Sequence, residues 1–548
     1  MSIDLLIRNA RIWTGDPARP WATSLAVTGG RVAGVGTEDG TEPEGDVATV
    51  VDLDGAFVVP GLHDVHNHHA VAGRTDLFEC RFLPTDSLEA ALDAVAAYAR
   101  DLPPDGWVVG GNWGSNLLDR LSTLEAREAL DAAAGGRPAM LRDDSNHNRW
   151  VSSEALRLAG IDAGTPDPAG GQVHRDPATG EPTGVLIEAG GLLVEKALAA
   201  TATGSLEDDA RCSERGIEIL HTHGITAFQD AATSLQVLRA LKHLDDTGRL
   251  KAWVVSSMPV NDVIFGSDPV GEELFAHREE VRSPHHFPDS VKIFLDGVPT
   301  SRTAAFLEPY LPDDLHGECW RGGTTMPAED LLDVLRRTAA QGLSAKIHCT
   351  GDASVRMTLD AIATVRAEGH TDVRYHIAHG QYVHEDDVPR LAELDVVADL
   401  SPTLWFPGVI LDAIKKCVPA ERAERMHPNR WLLEHGTVLA GGSDWPVSVT
   451  PDVWLGIQGL VTREDPSGEF PGTLWPEQAL TLEEALTVYT SASARAMGLS
   501  EHTGSLELGK SADFVVLDRD PFRTDPHELA TITAQQTWFA GELVHRRH

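Results

Sequence analysis

The feature that most constrains this chain is an alternation. Short apolar, strand-like runs recur from about residue 58 to residue 440, and amphipathic stretches of helical period follow them. Strands that alternate with helices build βα units and a parallel sheet. The candidate strands are residues 58–62, 139–142, 225–229, 291–296, 345–348, 374–379, 396–400 and 437–440. Eight parallel strands ringed by helices close into an α/β (β/α)8 TIM barrel. The interval from about 70 to 220 is too long for one βα pair. It carries the run 106–113 and a Pro/Gly-rich segment, 163–183, and is expected to be a lobe inserted over the barrel mouth. The two chain ends read differently. Short strand-like pieces at 5–7, 10–13, 24–27 and 31–35, with a Gly29-Gly30 turn, are matched by 512–517 and 536–544. Neither end has enough strands to stand alone. The expectation is one composite β-sandwich, residues 1–58 plus 498–548, beside a barrel of residues 59–497.

The charge balance excludes some partners. A formal net charge of −38 argues against holding nucleic acid or an anionic membrane through a basic face. The start of the chain has no basic segment leading into an apolar one, and no apolar run reaches the length of a membrane span. A soluble cytoplasmic protein is the expectation. The five cysteines are scattered, with no C-x-x-C, which disfavours both a disulfide framework and a thiolate zinc site.

Chemistry concentrates at the strand ends, where a barrel gathers its functional side chains. In a strand, residues i and i+2 face the same way, so His66 and His68 project together where the first strand ends. Two surface histidines would share that spacing, and the later strand ends decide between the readings. His348 ends the run 345–348, His379 ends 374–379, and Asp444 follows 437–440. Four histidines and an aspartate at one end of one barrel form a nitrogen and oxygen donor set that suits Zn²⁺ or another first-row divalent ion. Trp113, Trp405, Phe406 and Trp445 lie at or near strand ends, where they could line an apolar substrate pocket. Asp352, four residues past His348, could orient a ligand or cap the next helix. His63 and His69 flank the metal pair, as outer support or as surface residues.

Pro60-Gly61-Leu62-His63-Asp64-Val65-His66-Asn67-His68 resembles the opening motif of the amidohydrolase superfamily. The stretches 291–297, 301–305, 166–171, 184–188 and 504–513 are similar to one branch, the YtcJ-like or amidohydrolase 3 group, which includes N-substituted formamide deformylases. The likeness covers nearly the whole chain. It implies that His66 and His68 hold a buried metal, that His348 and His379 hold a second, and that Asp444 binds the first and moves protons. It also implies a strand-four lysine, Lys292, that is carboxylated by CO2 and bridges two ions, because a free ammonium would repel a cation. The stretch around His147 resembles a family stretch, Asp-Gly-His-Ser-Ala-Trp, so His147 could face substrate or be a structural histidine of the second strand. Relatives often carry Ile-Glu-His where this chain has Ile377-Ala378-His379, which removes a carboxylate near strand six.

The function expected from this resemblance is hydrolysis of a C–N bond in a small N-substituted formamide or N-acyl amine, with one or two Zn²⁺ or similar ions as cofactor. Lactone, carbamate or ester hydrolysis on the same site is the alternative within catalysis. A regulatory or binding protein on the same scaffold is the alternative of another class. The partner expected is a small molecule, and a homodimer is allowed.

Overall fold

The computed structural model describes residues 2–547 except 38–41, 44, 104–105, 169, 202–204, 263 and 265. Ala169, inside one of the stretches that carry the family likeness, therefore lies outside the described residues.

Eight parallel strands form the central sheet in chain order: β1 (Leu62–Asn67), β2 (Ile225–Asp230), β3 (Trp253–Pro259), β4 (His286–Phe294), β5 (Ser344–Cys349), β6 (Tyr375–His379), β7 (Val396–Leu400) and β8 (Leu439–Gly441). The last meets the first through a parallel bridge between Asn67 and Trp445. Two backbone hydrogen bonds complete that seam, from Asp444 N to His66 O at 2.6 Å and from His68 N to Trp445 O at 2.7 Å. The surrounding helices show why the sequence folds this way. Ala328–Ala340 buries Leu331, Val334, Leu335 and Thr338, the i, i+3, i+4, i+7 stripe of a helix lying on a sheet. Leu206–Thr222 begins with a capping box in which Ser205 and Asp208 satisfy each other's backbone amides.

Two expected barrel strands are corrected. Residues 139–142 fall in Ala139–Asp143, which belongs to the inserted lobe, and the third barrel strand is instead Trp253–Pro259. The run 58–62 straddles two sheets: Phe57–Pro60 pairs with Phe514–Leu517, and the barrel strand begins at Leu62. Between them a Cβ on Gly61 would lie 2.1 Å from Thr226 Oγ1, so a glycine makes the crossing.

The lobe follows β1 and the helix His69–Phe78. Its six-stranded sheet runs in the spatial order Gly171–Arg175, Pro182–Glu188, Asn148–Val151, Ala139–Asp143, Val108–Trp113, Cys80–Arg81. It has an apolar core of its own, including Val95, Trp113, Leu141, Trp150 and Val185. The link between its two central antiparallel strands, residues 144–147, reaches the barrel mouth.

The chain ends form a four-stranded and a six-stranded sheet. The six-stranded one joins Arg11–Trp13, Trp21–Ala22 and Phe57–Pro60 to Phe514–Leu517, Ala534–Phe539 and Glu542–Arg546. Leu5, Ile7, Leu25 and Val27 from one sheet share a core with Val58, Phe514, Val516 and Trp538 from the other, which is the arrangement of a sandwich. Gly29 and Gly30 both take positive φ, 57° and 74°, as a two-residue hairpin turn requires. Asp46–Asp52 is an additional strand, parallel to Ser2–Arg8; it is largely exposed although Val47, Ala48, Val50 and Val51 are apolar.

Candidate metal centre

The ends of β1, β4, β5, β6 and β8 converge on one point. His66 Nε2 lies 3.5 Å and His68 Nε2 3.4 Å from Asp444 Oδ1. All three residues are buried, and their ligand atoms lie within 4.8 Å of one another. Zn–N and Zn–O bonds of about 2.0–2.1 Å in a tetrahedron set neighbouring ligand atoms roughly 3.3 Å apart. The donor set and its spacing therefore fit a divalent metal ion. His379 Nδ1 is 3.9 Å from Asp444 Oδ2, and the His379 ring lies 4.7 Å from that of His66 and 4.6 Å from that of His348. Lys292 Nζ stands 3.4 Å from His66 Nε2. All six expected metal-site residues thus meet in one recess. His379 and Asp444 hold positive φ values, 69° and 56°, which non-glycine residues rarely adopt and which cluster at functional sites.

Burial controls the electrostatics. It pushes the His66 imidazole down to about 4, with Lys292 adding to the effect, and takes His348 and His379 well below the usual histidine range. Neutral imidazoles are the form that binds metals. Lys292 is lowered by burial to about 8. Burial would raise the Asp444 carboxyl, but His66, His68 and Lys292 facing it outweigh that and hold it below the ordinary carboxylate value.

A second set of side chains fixes the first. Asp399, on β7, accepts a hydrogen bond from His66 Nδ1 at 3.1 Å, which turns Nε2 toward Asp444. Lys346, on β5, binds the same carboxylate oxygen and approaches His376 Nδ1 at 3.3 Å. Lys346 and Asp399 are entirely buried. Asp64 accepts hydrogen bonds from His66 N, Ser443 N and Ser443 Oγ, tying β1 to the loop that carries Asp444. Asp296 accepts from the amides of Ala305, Thr350 and Gly351 and from Ser354 Oγ, and so joins the loops after β4 and β5. The adjoining Gly297 carbonyl contacts His348 Nε2 at 3.1 Å. Sequence reasoning missed Asp399 and Lys346 as site residues. Their only local signal is a charged residue within an apolar strand, which says nothing of where it points.

His147 comes from the lobe. Its Nδ1 is 2.7 Å from Glu188 Oε2, and Thr303 Oγ1 donates to the other Glu188 oxygen at 2.8 Å. Burial pulls this imidazole down, but Glu188 more than offsets it and the net shift is upward. The His147 ring lies 5.4 Å from that of His348 and lines the recess. The three tryptophans are placed elsewhere. Trp113 sits in the lobe core with its indole N–H on the Leu141 carbonyl, and borders an outer cavity of about 760 Å³. Trp405 packs under the Arg463 guanidinium and beside His427. Trp445 faces a cleft of about 450 Å³ between lobe and barrel. Asp352 starts the helix after β5, accepting from the Leu307 amide at 2.8 Å, and the carboxylate nearest His348 is Asp296 at 3.8 Å. His63 and His69 are buried, and His69 Nδ1 meets Asp230 at 2.6 Å.

A barrel with this donor set at its mouth narrows the family, and comparison with known proteins decides it. The amidohydrolase family profile matches residues 49–545. The chain belongs to the amidohydrolase family. It is similar to the N-substituted formamide deformylase of Arthrobacter pascens, with 30% identity over 99% of this chain and 98% of that protein. It is also similar to protein LONG AFTER FAR-RED 3 of Arabidopsis thaliana, with 29% identity over 94% of this chain and 87% of that one. The crystal structure of an uncharacterized metal-dependent hydrolase from Pyrococcus horikoshii OT3 superimposes with a TM-score of 0.73 at 24% identity, covering 95% of this chain and 99% of the other. The last likeness concerns the fold. No described helix of this amidohydrolase is long and apolar enough to cross a membrane.

Proposed function

We propose that this amidohydrolase cleaves the C–N bond of a small N-substituted amide, an N-substituted formamide or a related N-acyl amine. The observation that carries the reading is the convergence of His66, His68 and Asp444 at metal-ligand spacing, beside His348 and His379. Similarity to the Arthrobacter pascens deformylase supports the bond type. His66, His68 and Asp444 would hold one ion, zinc first among the candidates, and His348 and His379 a second. Lys292, as a carbamate rather than an ammonium that would repel cations, would add an anionic oxygen ligand. Ions held there would supply Lewis acidity and lower the pKa of a water. The free Asp444 oxygen, Oδ2, takes the proton of the attacking water and returns it to the amine nitrogen as the C–N bond breaks. His147, steadied by Glu188, faces the substrate. The two chain ends, which the sequence bounds at 1–58 and 498–548 and which strand pairing extends to Pro60, act as a separate β-sandwich unit beside the barrel, and the five free cysteines suit a cytoplasmic location.

Metal analysis combined with an amide panel tests this reading. Protein purified without chelator should carry zinc or a similar ion and release primary amines from N-alkyl formamides. The Asp444→Asn variant should lose amine release. Metal below about one tenth of an equivalent, with no activity gained on adding Zn²⁺, would sink the enzyme reading. Turnover of lactones but not amides would move the assignment to another bond.

A further inference from the structure

The metal recess adjoins a second, larger space with a distinct chemistry. This chamber measures about 80 Å³. His147, His348, His379 and Asp444 belong to the walls of both spaces, so anything bound in the chamber touches the reacting centre. Most of the surface it exposes is carbon, with Val298, Pro299, Leu404, Ile410, Ile414 and Val447 in the wall, although Ser145, Thr350, Gln381, Ser401 and His427 also border it. Asp144 also borders it, but both carboxylate oxygens are engaged, one by the Ser115 amide at 2.9 Å and the other by the Ser115 hydroxyl.

One helix sets the size. Val409–Lys415 places Ile410 and Ile414, at i and i+4, on the chamber side. Ala413 and the following Lys416 and Cys417 line the outer 760 Å³ cavity on the other side. The helix is therefore a partition. Ser115 and Thr300 border both spaces.

We propose that the chamber is a size-limited subsite for a small uncharged aliphatic substituent of the amide, and that Ile410 and Ile414 determine that limit. The proposal rests on the hydrolase reading above. An apolar cavity of about 150 Å³ takes a benzene ring. By the same scale, 80 Å³ takes roughly three carbon atoms, a propyl group, and is too small for an aromatic ring. A wall that exposes mostly carbon also disfavours a charged substituent, which would lose much of its hydration with little in return. Truncating Ile414 to alanine removes three carbons, roughly 75 Å³, and brings the chamber to about the size of a benzene site.

The test is a substrate series on the metal-loaded full chain: N-methyl to N-hexyl and N-benzyl formamides, with the matching N-methyl acyl amides. In one of the two series, kcat/KM should rise about fourfold per methylene up to propyl. It should then fall at least about tenfold by hexyl and benzyl. In Ile414→Ala the benzyl-to-propyl ratio should increase at least about tenfold. Ile410→Ala, at a half-buried position, should shift it the same way and guards against misfolding of the first variant. Equal kcat/KM for propyl and benzyl in the wild-type protein, or no shift in ratio in either folded variant, would overturn the subsite. If no amide is hydrolysed with metal present, the hydrolase reading itself falls. The same series is then read by calorimetric binding, where an affinity maximum at propyl supports the subsite and a flat series overturns it.

Discussion

Replacing Lys346 with methionine probes the buried support beneath the candidate metal centre. Lys346 and Asp399 have no solvent exposure, and Lys346 Nζ holds the carboxylate oxygen that also receives His66 Nδ1. Methionine preserves most of the side-chain volume but removes the charge. Asp399 is then a buried anion left with the His66 imidazole at 3.1 Å and His376 Nδ1 at 3.9 Å, while His376 Nδ1 loses its neighbour at 3.3 Å. Removing one partner of a buried ion pair costs about 3–5 kcal/mol. For a chain of 548 residues, at about 2.1 cal/mol/K per residue, that is on the order of 3–4 °C in Tm. A second substitution separates charge from packing. Asp399→Asn keeps an acceptor for His66 but carries no charge, so Lys346→Met/Asp399→Asn should cost less than the sum of the single changes, by about 2 kcal/mol. Urea unfolding of chelator-treated protein gives all three numbers. A cost below about 1 kcal/mol for Lys346→Met, or strict additivity in the double variant, would refute the argument that a desolvated charge pair supports His66.

Three further outcomes follow from the same geometry. Asp399→Asn should weaken zinc affinity about 10–100-fold, read by chelator competition, because the acceptor that fixes His66 loses its charge. Gly442→Ala should abolish turnover and cost about 1–3 kcal/mol in urea unfolding, since its Cβ would sit 2.6 Å from His66 Cβ at the seam between β8 and β1. The third concerns pH. The Arg430 guanidinium bonds both Glu484 oxygens and, with the Thr481 cap, lowers that carboxyl to about 2. A depressed folded pKa stabilises above the unfolded value and is lost as pH falls through the folded one. The Tm gap between wild type and Glu484→Gln should thus be constant from pH 7 to about 5 and narrow between about 4.5 and 2. A gap that widens on acidification would reverse that sign.

Much of this molecule is decided by local pattern. The alternation of apolar runs with helical periods was enough to specify a βα barrel, because strand and helix periods are properties of neighbouring residues. The meeting of His66, His68, His348, His379 and Asp444 was legible for a related reason: a histidine or aspartate at the end of an apolar run is conspicuous, and a barrel brings all such ends to one rim. Pairing is different. Residues 139–142 and Trp253–Pro259 look alike as apolar runs, the second broken by Ser256 and Ser257, yet one lies in the lobe and the other in the barrel. Only their partners distinguish them. The supports beneath the site are of the same kind. Asp399 meets His66 across 333 residues, and Ser443 meets Asp64 across 379. The aromatic residues show the limit most directly. Trp113, Trp405 and Trp445 stand near strand ends in sequence, but the lobe core, an arginine and an outer cleft take them. Ile410 and Ile414 turn to the chamber instead, because the helix carrying them lies between two cavities. Periodicity tells a residue which neighbours share its face; only closure of the barrel and docking of the lobe decide what that face meets.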